Sequence, residues 1–184
     1  MRDRNVAVRY AQALLNVAIE RDKVDGITES FDGITEAVAG HDDLRVFMQS
    51  PQVRTQEKQQ LIQTVFADKV EPTLLHFLEL LLEKDRIMHL ADIHVEYTTL
   101  VETHRGMQRV RVVTAVPLDG DLETALRNKL ASLTGKTIIL DMKVDPSVIG
   151  GVCVTMGDQI IDGTIATGLG RIGHALEQSP LRSS

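Results

Sequence analysis

The amino-acid sequence predicts an α+β protein in which an N-terminal six-helix bundle is followed by a small β-α-β-β-β-α domain. Apolar residues recur at helical steps of three and four up to about residue 105, and they alternate at every second position afterwards. The 184-residue chain is long enough for two small domains, which we expect at 1–105 and 106–184. Aromatic residues make up only 3% of the chain, so the cores are expected to be aliphatic.

Six stretches in the first half have helical periodicity, and several have a recognisable start or stop. We expect helices near 6–21, 27–39, 44–49, 61–66, 74–84 and 87–105. Gly40 is expected to stop the second, and Pro51 the third, because proline disfavours helical geometry in the residue before it. Pro72 suits the first turn of the fifth helix, where a missing N–H costs nothing.

The second half is predicted to alternate strands with one or two helices. The strands are expected near 109–116, 137–144, 152–156 and 159–161, the last two joined by a hairpin at Gly157-Asp158. A helix over 122–133 has Asp119 or Asp121 as its N-cap and ends at Gly135. A last helix is expected from Thr164 onward.

Composition excludes several classes of function. The net charge is −6 and no basic stripe with interleaved aromatics is present, which argues against nucleic-acid binding. No apolar run reaches the length needed to cross a membrane, so direct insertion is not expected. The lone Cys153 and the six scattered histidines form no metal-ligand pattern, and no nucleophile–base pair is visible. We therefore expect no catalytic residue, no cofactor and no metal.

Two glycine strings raise the alternative of a small nucleotide-binding enzyme. Gly135-Lys136-Thr137 lacks the earlier glycine of a phosphate-binding loop, because position 130 is leucine, and a strand pattern follows it. Gly168-x-Gly170-x-x-Gly173 matches a dinucleotide fingerprint, but only 11 residues follow Gly173 and the rest of a βαβ unit has no room. We interpret both matches as coincidental.

The first and fifth predicted helices carry more apolar surface than one core-facing stripe requires. The first has one stripe at Ala7, Ala11, Leu14 and Ala18 and an adjoining one at Val6, Tyr10, Ala13 and Val17. The fifth is apolar around most of its circumference, at Leu74, Leu75, Phe77, Leu78, Leu80, Leu81 and Leu82. This surplus predicts a groove for an amphipathic helix from another chain. One central helix beside one ordinary helix remains the alternative.

An ordered set of short motifs runs through both halves of the chain. In the first half these are Arg9-Tyr10-Ala11-Gln12-Ala13-Leu14 with Ala18, Ser50-Pro51 with Lys58, Phe77-Leu78-x-Leu80-Leu81 with Arg86, and Tyr97. The second half contributes Val144 to Gly151 and Gly157 to Thr164. The motif residues there are Asp145, Pro146, Ile149, Gly150, Gly151, Gly157, Asp158, Asp162 and Gly163. In this order and spacing the set resembles the delta subunit of the bacterial F-type ATP synthase, a relative of the mitochondrial oligomycin-sensitivity-conferral protein.

The resemblance implies a non-catalytic stator subunit that links the catalytic head to the stalk and resists rotor torque while proton flow drives ATP synthesis. It implies one copy per complex, with the N-terminal domain gripping the N-terminal helix of an alpha subunit and the C-terminal domain contacting the C-terminal region of the b subunit. The expected alpha-binding residues are Val6, Tyr10, Ala13, Val17, Leu74, Phe77, Leu78 and Leu81. Which face of the first helix meets the partner stays open, and a generic helix-binding adaptor is a further alternative.

The resemblance also implies a location. Its first motif begins by residue 6, which leaves no room for a transit peptide. We therefore expect a peripheral protein on the cytoplasmic face of a bacterial plasma membrane.

Overall fold

The computed structural model describes residues 2–67, 69–148, 150–157 and 159–163, with side chains described from residue 5 onward. These residues form seven α-helices and a four-stranded mixed sheet, so the predicted α+β class is confirmed. They divide into two compact units, one ending at Val101 and the other beginning at Glu102. That division lies a few residues before the expected boundary at 105/106.

Helices α1 to α6 occupy the first part of the chain. Their bounds are α1 Arg2–Glu20, α2 Val24–Gly40, α3 Asp42–Gln49, α4 Thr55–Phe66, α5 Pro72–Glu83 and α6 Leu90–His104. The sixth helix begins later than expected, because Ile87–His89 forms a 3₁₀ turn in which the amide of His89 donates to the carbonyl of Arg86 at 3.0 Å. The predicted stops are confirmed: α2 ends at Gly40, and Ser50 is extended ahead of Pro51.

The core of the helical unit is built on the small-residue stripe of α1. Ala7, Ala11 and Ala18 are fully buried, which lets neighbouring helices approach the α1 backbone closely. Aromatic rings fill the centre: Phe31 of α2 lies edge-on to Phe77 at a centroid distance of 6.3 Å and tilted against Tyr97 at 5.7 Å. With one stripe of α1 committed to this core, its adjoining stripe is left facing outward.

The second unit contains one helix and one sheet. Its elements are β1 Met107–Thr114, α7 Gly120–Thr134, β2 Thr137–Val144, β3 Val152–Met156 and β4 Gln159–Asp162, with a 3₁₀ turn at Pro146–Val148. The strand order is β2-β1-β3-β4; β1 and β2 are parallel, and the other pairs are antiparallel. Helix α7 provides the crossover that a parallel pair requires.

The ends of α7 follow local chemistry. Of the two N-cap candidates, Asp119 is the cap, and its carboxylate accepts a hydrogen bond from the amide of Leu122 at 2.8 Å. Gly135 ends the helix at φ +69°, a left-handed conformation that glycine adopts without steric cost. Since a strand rather than a helix follows, the Gly135-Lys136-Thr137 string is not a phosphate-binding loop.

The core of this unit lies between α7 and one face of the sheet. It consists of Val110, Val112, Leu130, Ile138 and Val154. Arg109 lies on β1 directly before the core residue Val110. Its guanidinium forms a two-pronged ion pair with the carboxylate of Glu102, a residue that is 8% exposed. This pair joins the end of α6 to β1.

Two predictions fall outside the described residues. The last helix, expected from Thr164 onward, lies there, as does the Gly168-x-Gly170-x-x-Gly173 string. Within the residues that are described, no helix combines the length and apolar character needed to cross a bilayer.

Candidate functional site: an apolar groove between α1 and α5

An open groove of about 490 Å³ runs between α1 and α5. Its lining is mainly apolar and comes from both helices and the residue after α1: Arg9, Tyr10, Ala13, Leu14 and Val17 from α1, Arg21 directly after its end, and Thr73, His76, Phe77 and Leu80 from α5. A groove between two helices with an apolar floor is the shape that accepts an amphipathic helix.

The α1 wall consists of the stripe that the core does not use. Tyr10 and Val17 are half-buried and Ala13 is exposed between them, so the predicted residues Tyr10, Ala13 and Val17 do lie together at the groove. Leu14 contributes to the floor but is only 2% exposed. Val6 is half-buried and does not line the groove.

On the α5 wall the structure corrects the sequence prediction. Leu74, Leu78 and Leu81 are 0%, 1% and 0% exposed and belong to the bundle core, so they present no surface to a partner. Phe77 alone of the four predicted α5 residues lines the groove. The rest of the α5 wall comes from the adjoining face of the helix, with Thr73, His76 and Leu80. Of these, Leu80 is 40% exposed.

A chain of aromatic contacts joins the groove floor to the core. The rings of Tyr10 and Phe77 meet edge to face across the two helices at a centroid distance of 6.3 Å, and Phe77 meets Phe31 in the same way. Such pairs contribute about 0.5–1.5 kcal/mol beyond the burial of their area. The floor is therefore preorganised, which lowers the conformational entropy lost when a partner binds.

The rim of the groove is basic. One guanidinium N–H of Arg21 donates to the hydroxyl of Thr73 at 3.0 Å, which ties this arginine to α5. His76 has its Nδ1 2.8 Å from the carbonyl of Pro72; because that oxygen only accepts, Nδ1 is the donor. Arg9 adds a third basic group. Among the described lining residues, none is a carboxylate.

Sequence reasoning missed Arg21, Thr73, His76 and Leu80 as groove residues. A signal for Arg21 was present, because it follows Val17 by four positions and continues the stripe of Tyr10 and Ala13. No comparable signal existed for the α5 residues, since that helix is apolar on nearly all sides.

The motif residues of the second unit lie in its turns and strand ends. The carboxylate of Asp145 accepts hydrogen bonds from the hydroxyl of Ser147 at 2.6 Å and from its amide at 3.0 Å; these bonds hold the pKa of Asp145 below its ordinary value. Pro146 begins the 3₁₀ turn, and the Gly150 amide donates to the Val148 carbonyl.

The remaining motif residues border β3 and β4. Gly157, at φ +59°, follows Met156 in the hairpin, where Met156 pairs with Gln159. Gly151 precedes β3, Asp162 pairs with Cys153, and the Gly163 amide donates to the Val152 carbonyl at 3.0 Å. Ile149 and Asp158 lie outside the described residues. In the part of the chain that is described, no three His, Cys, Asp or Glu side chains come together as a metal site.

The fold and the groove define a class: an α+β protein whose described site is an open apolar groove between two helices rather than an enclosed pocket. The family model for the ATP synthase delta (OSCP) subunit matches residues 6–176. The chain belongs to the ATP synthase delta (OSCP) subunit family.

Individual relatives align with this chain over nearly their whole length. The ATP synthase subunit delta of Alkaliphilus metalliredigens is 35% identical over 173 residues, covering 94% of this chain and 96% of that protein. The ATP synthase subunit delta of Desulforamulus reducens is 36% identical over 171 residues, covering 93% and 94%. A chain in the Toxoplasma gondii mitochondrial ATP synthase hexamer shares the fold, with a TM-score of 0.74 at 21% identity, covering 95% of this chain and 98% of that one.

Proposed function

We propose that the α1–α5 groove holds the N-terminal helix of an alpha subunit of the catalytic head, and that the second unit contacts the C-terminal region of the b-subunit stalk. As a member of the delta family, the chain is a non-catalytic peripheral-stalk subunit of a proton-translocating F-type ATP synthase. In this role it links head and stalk and resists rotor torque during ATP synthesis.

The observation that carries the proposal is the unpartnered apolar stripe of α1 facing Phe77. Ala13 is exposed at the middle of this stripe, with half-buried Tyr10 and Val17 on either side. A methyl side chain at that point allows the backbone of a second helix to come close, while the flanking side chains supply area to bury. Apolar stripes of this kind on a helix are normally covered.

The second half of the proposal concerns assembly. We propose that the helical unit serves the head and that the second unit serves the stalk. We propose one copy in the complex, held peripherally at the cytoplasmic face of a bacterial plasma membrane. The family match over 6–176 supports this division of labour, because it includes both units.

The groove is tested with a peptide of about 20 residues from the N-terminus of a bacterial alpha subunit, titrated into the full chain by isothermal calorimetry. Ala13→Asp places a carboxylate in the middle of the apolar contact, where burying a charge costs several kcal/mol. A helical i, i+4 pair with Arg9 returns only about 0.2–0.5 kcal/mol of this cost. We expect the affinity to fall at least about 100-fold, since each 1.4 kcal/mol is a factor of ten. The fold should be unchanged, because Ala13 is exposed.

Asn16→Asp is the matched control. It adds the same charge to the same helix at an exposed residue outside the groove, and the remaining Oδ1 still accepts from Gln12, as it does at 3.0 Å now. Undetectable binding by the unmodified chain, or equal affinities for the two variants, contradicts the proposed groove. A pull-down from native membranes, read by mass spectrometry, then tests whether b co-purifies with the full chain.

A further inference from the structure

We infer that the groove selects a helix with acidic side chains at both ends, and that Arg9 and Arg21 make this selection. The inference rests on the proposed function and deepens it, because the apolar floor by itself sets no preference for the charge of a partner.

The first argument is the sign of the rim. Every charged or titratable lining group other than the Tyr10 phenol is basic, namely Arg9, Arg21 and His76. The chain as a whole has the opposite bias, with 26 acidic residues against 20 Lys plus Arg. The basic rim is thus a local feature that the overall composition does not explain.

The second argument is where these charges lie. Arg9 is on α1 and Arg21 directly follows its last residue; the 12 positions between them correspond to about 18 Å along a helix axis. Tyr10, Ala13 and Val17 occupy the interval between them. Arg21 is anchored to Thr73 near the start of α5, whereas the neighbour of Arg9, Tyr10, meets Phe77 further along it. The groove is therefore apolar in the middle and positively charged toward each end.

A bound helix of about three turns would match this spacing with one carboxylate near each arginine. Arginine suits the position because its long apolar stem can extend the floor while its guanidinium pairs with a carboxylate at the edge. Rim charges of this kind change partner choice, association rate and salt dependence more than total affinity.

The test uses three designed 18-residue peptides with the same Leu/Ala stripe. They differ only at two positions 12 residues apart, which are both Glu, both Gln or both Lys. Binding to the full chain is measured by fluorescence anisotropy at 20 and 300 mM salt. We expect the Glu peptide to bind tightest and the Lys peptide weakest. Each arginine should change the ratio of the dissociation constants of the Glu and Gln peptides by about two- to five-fold. These ratios should become smaller at high salt.

Substitutions then assign the effect to the two arginines. Arg9→Gln with Arg21→Gln should remove most of the difference between the peptides, and Arg9→Glu with Arg21→Glu should reverse their order. Arg127→Glu is the control for the total charge of the double glutamine variant, because both lower the net charge by about two units and Arg127 is in the second unit, where it pairs with Glu123 at 2.6 Å. Circular dichroism melting confirms that each variant is folded; both rim arginines are exposed, so we expect little change.

The outcomes separate this inference from the function beneath it. Equal dissociation constants for the three peptides, or an order that the glutamate variant leaves unchanged, overturn the acidic-end preference while the groove stands. If neither these peptides nor the alpha-subunit peptide binds, the groove is wrong and the inference falls with it.

Discussion

Leu78 and Leu80 lie two positions apart on α5 but face opposite environments, and truncating each should have a different consequence. Leu78 is 1% exposed in the bundle core, whereas Leu80 is 40% exposed at the groove. Buried Leu→Ala changes cost about 2–5 kcal/mol, because the lost transfer energy is joined by a residual cavity. We expect Leu78→Ala to lower the free energy of unfolding by about 3 kcal/mol, and Leu80→Ala by about 1 kcal/mol.

The affinity for a partner helix should respond in the reverse order, with Leu80→Ala weakening it more than Leu78→Ala. Full burial of a leucine side chain stabilises by about 1.5–3 kcal/mol. A partner that covers the 40% of Leu80 still exposed therefore gains about 1 kcal/mol, which is about five-fold in the dissociation constant. Leu78→Ala should leave the affinity of the folded protein nearly unchanged, because that side chain has no surface left to cover.

Two measurements check this pair of variants. Urea denaturation followed by circular dichroism reports the free energy of unfolding, and calorimetry with the alpha-subunit peptide, at a temperature where both variants are folded, reports affinity. If Leu78→Ala weakens binding more than Leu80→Ala does, the assignment of the groove to the Leu80 face of α5 is wrong.

Two further predictions concern the second unit. Glu102→Gln should destabilise it by about 1–3 kcal/mol in urea denaturation, because the buried carboxylate loses its charge-assisted bonds to Arg109, with Glu123→Gln in an exposed pair as the control. The hydrogen bonds from Ser147 lower the folded-state pKa of Asp145, so their stabilisation is present above the unfolded-state value of about 3.9 and is lost as pH falls through the lower folded value. An NMR titration should show that low pKa, and Ser147→Ala should return it toward 3.9; an unchanged pKa contradicts the assigned cause.

Much of the local structure was predictable because its causes are local. The N-cap at Asp119, the stop at Gly135 and the proline at the start of α5 each act through backbone geometry within a few residues. The strands were predictable for a similar reason: their alternating side chains reflect one covered face of a sheet. The 3₁₀ turn at Ile87–His89 was not foreseen, because its apolar spacing also fits an α-helix.

Three of the four residues expected on α1 line the groove, but only one of the four expected on α5 does. On α1 one stripe is rich in alanine, which suits close packing of helices. The other carries Tyr10 and Val17, whose larger apolar side chains a partner can cover. What remained open was which stripe faces outward. The structure decides it, because Ala7, Ala11 and Ala18 are fully buried.

By itself, then, the sequence determined the class of elements, several of their ends, the family and the presence of surplus apolar surface on two helices; it did not determine the start of α4 at Thr55 or of α6 at Leu90. Only the tertiary structure decided which α5 residues form the groove. Seven of the 12 residues of α5 are apolar and cover most of its circumference, so its periodicity has no clear polar side from which to read an orientation. Contacts with the other helices bury Leu74, Leu78 and Leu81, and they leave Leu80 and Phe77 beside Tyr10 of α1.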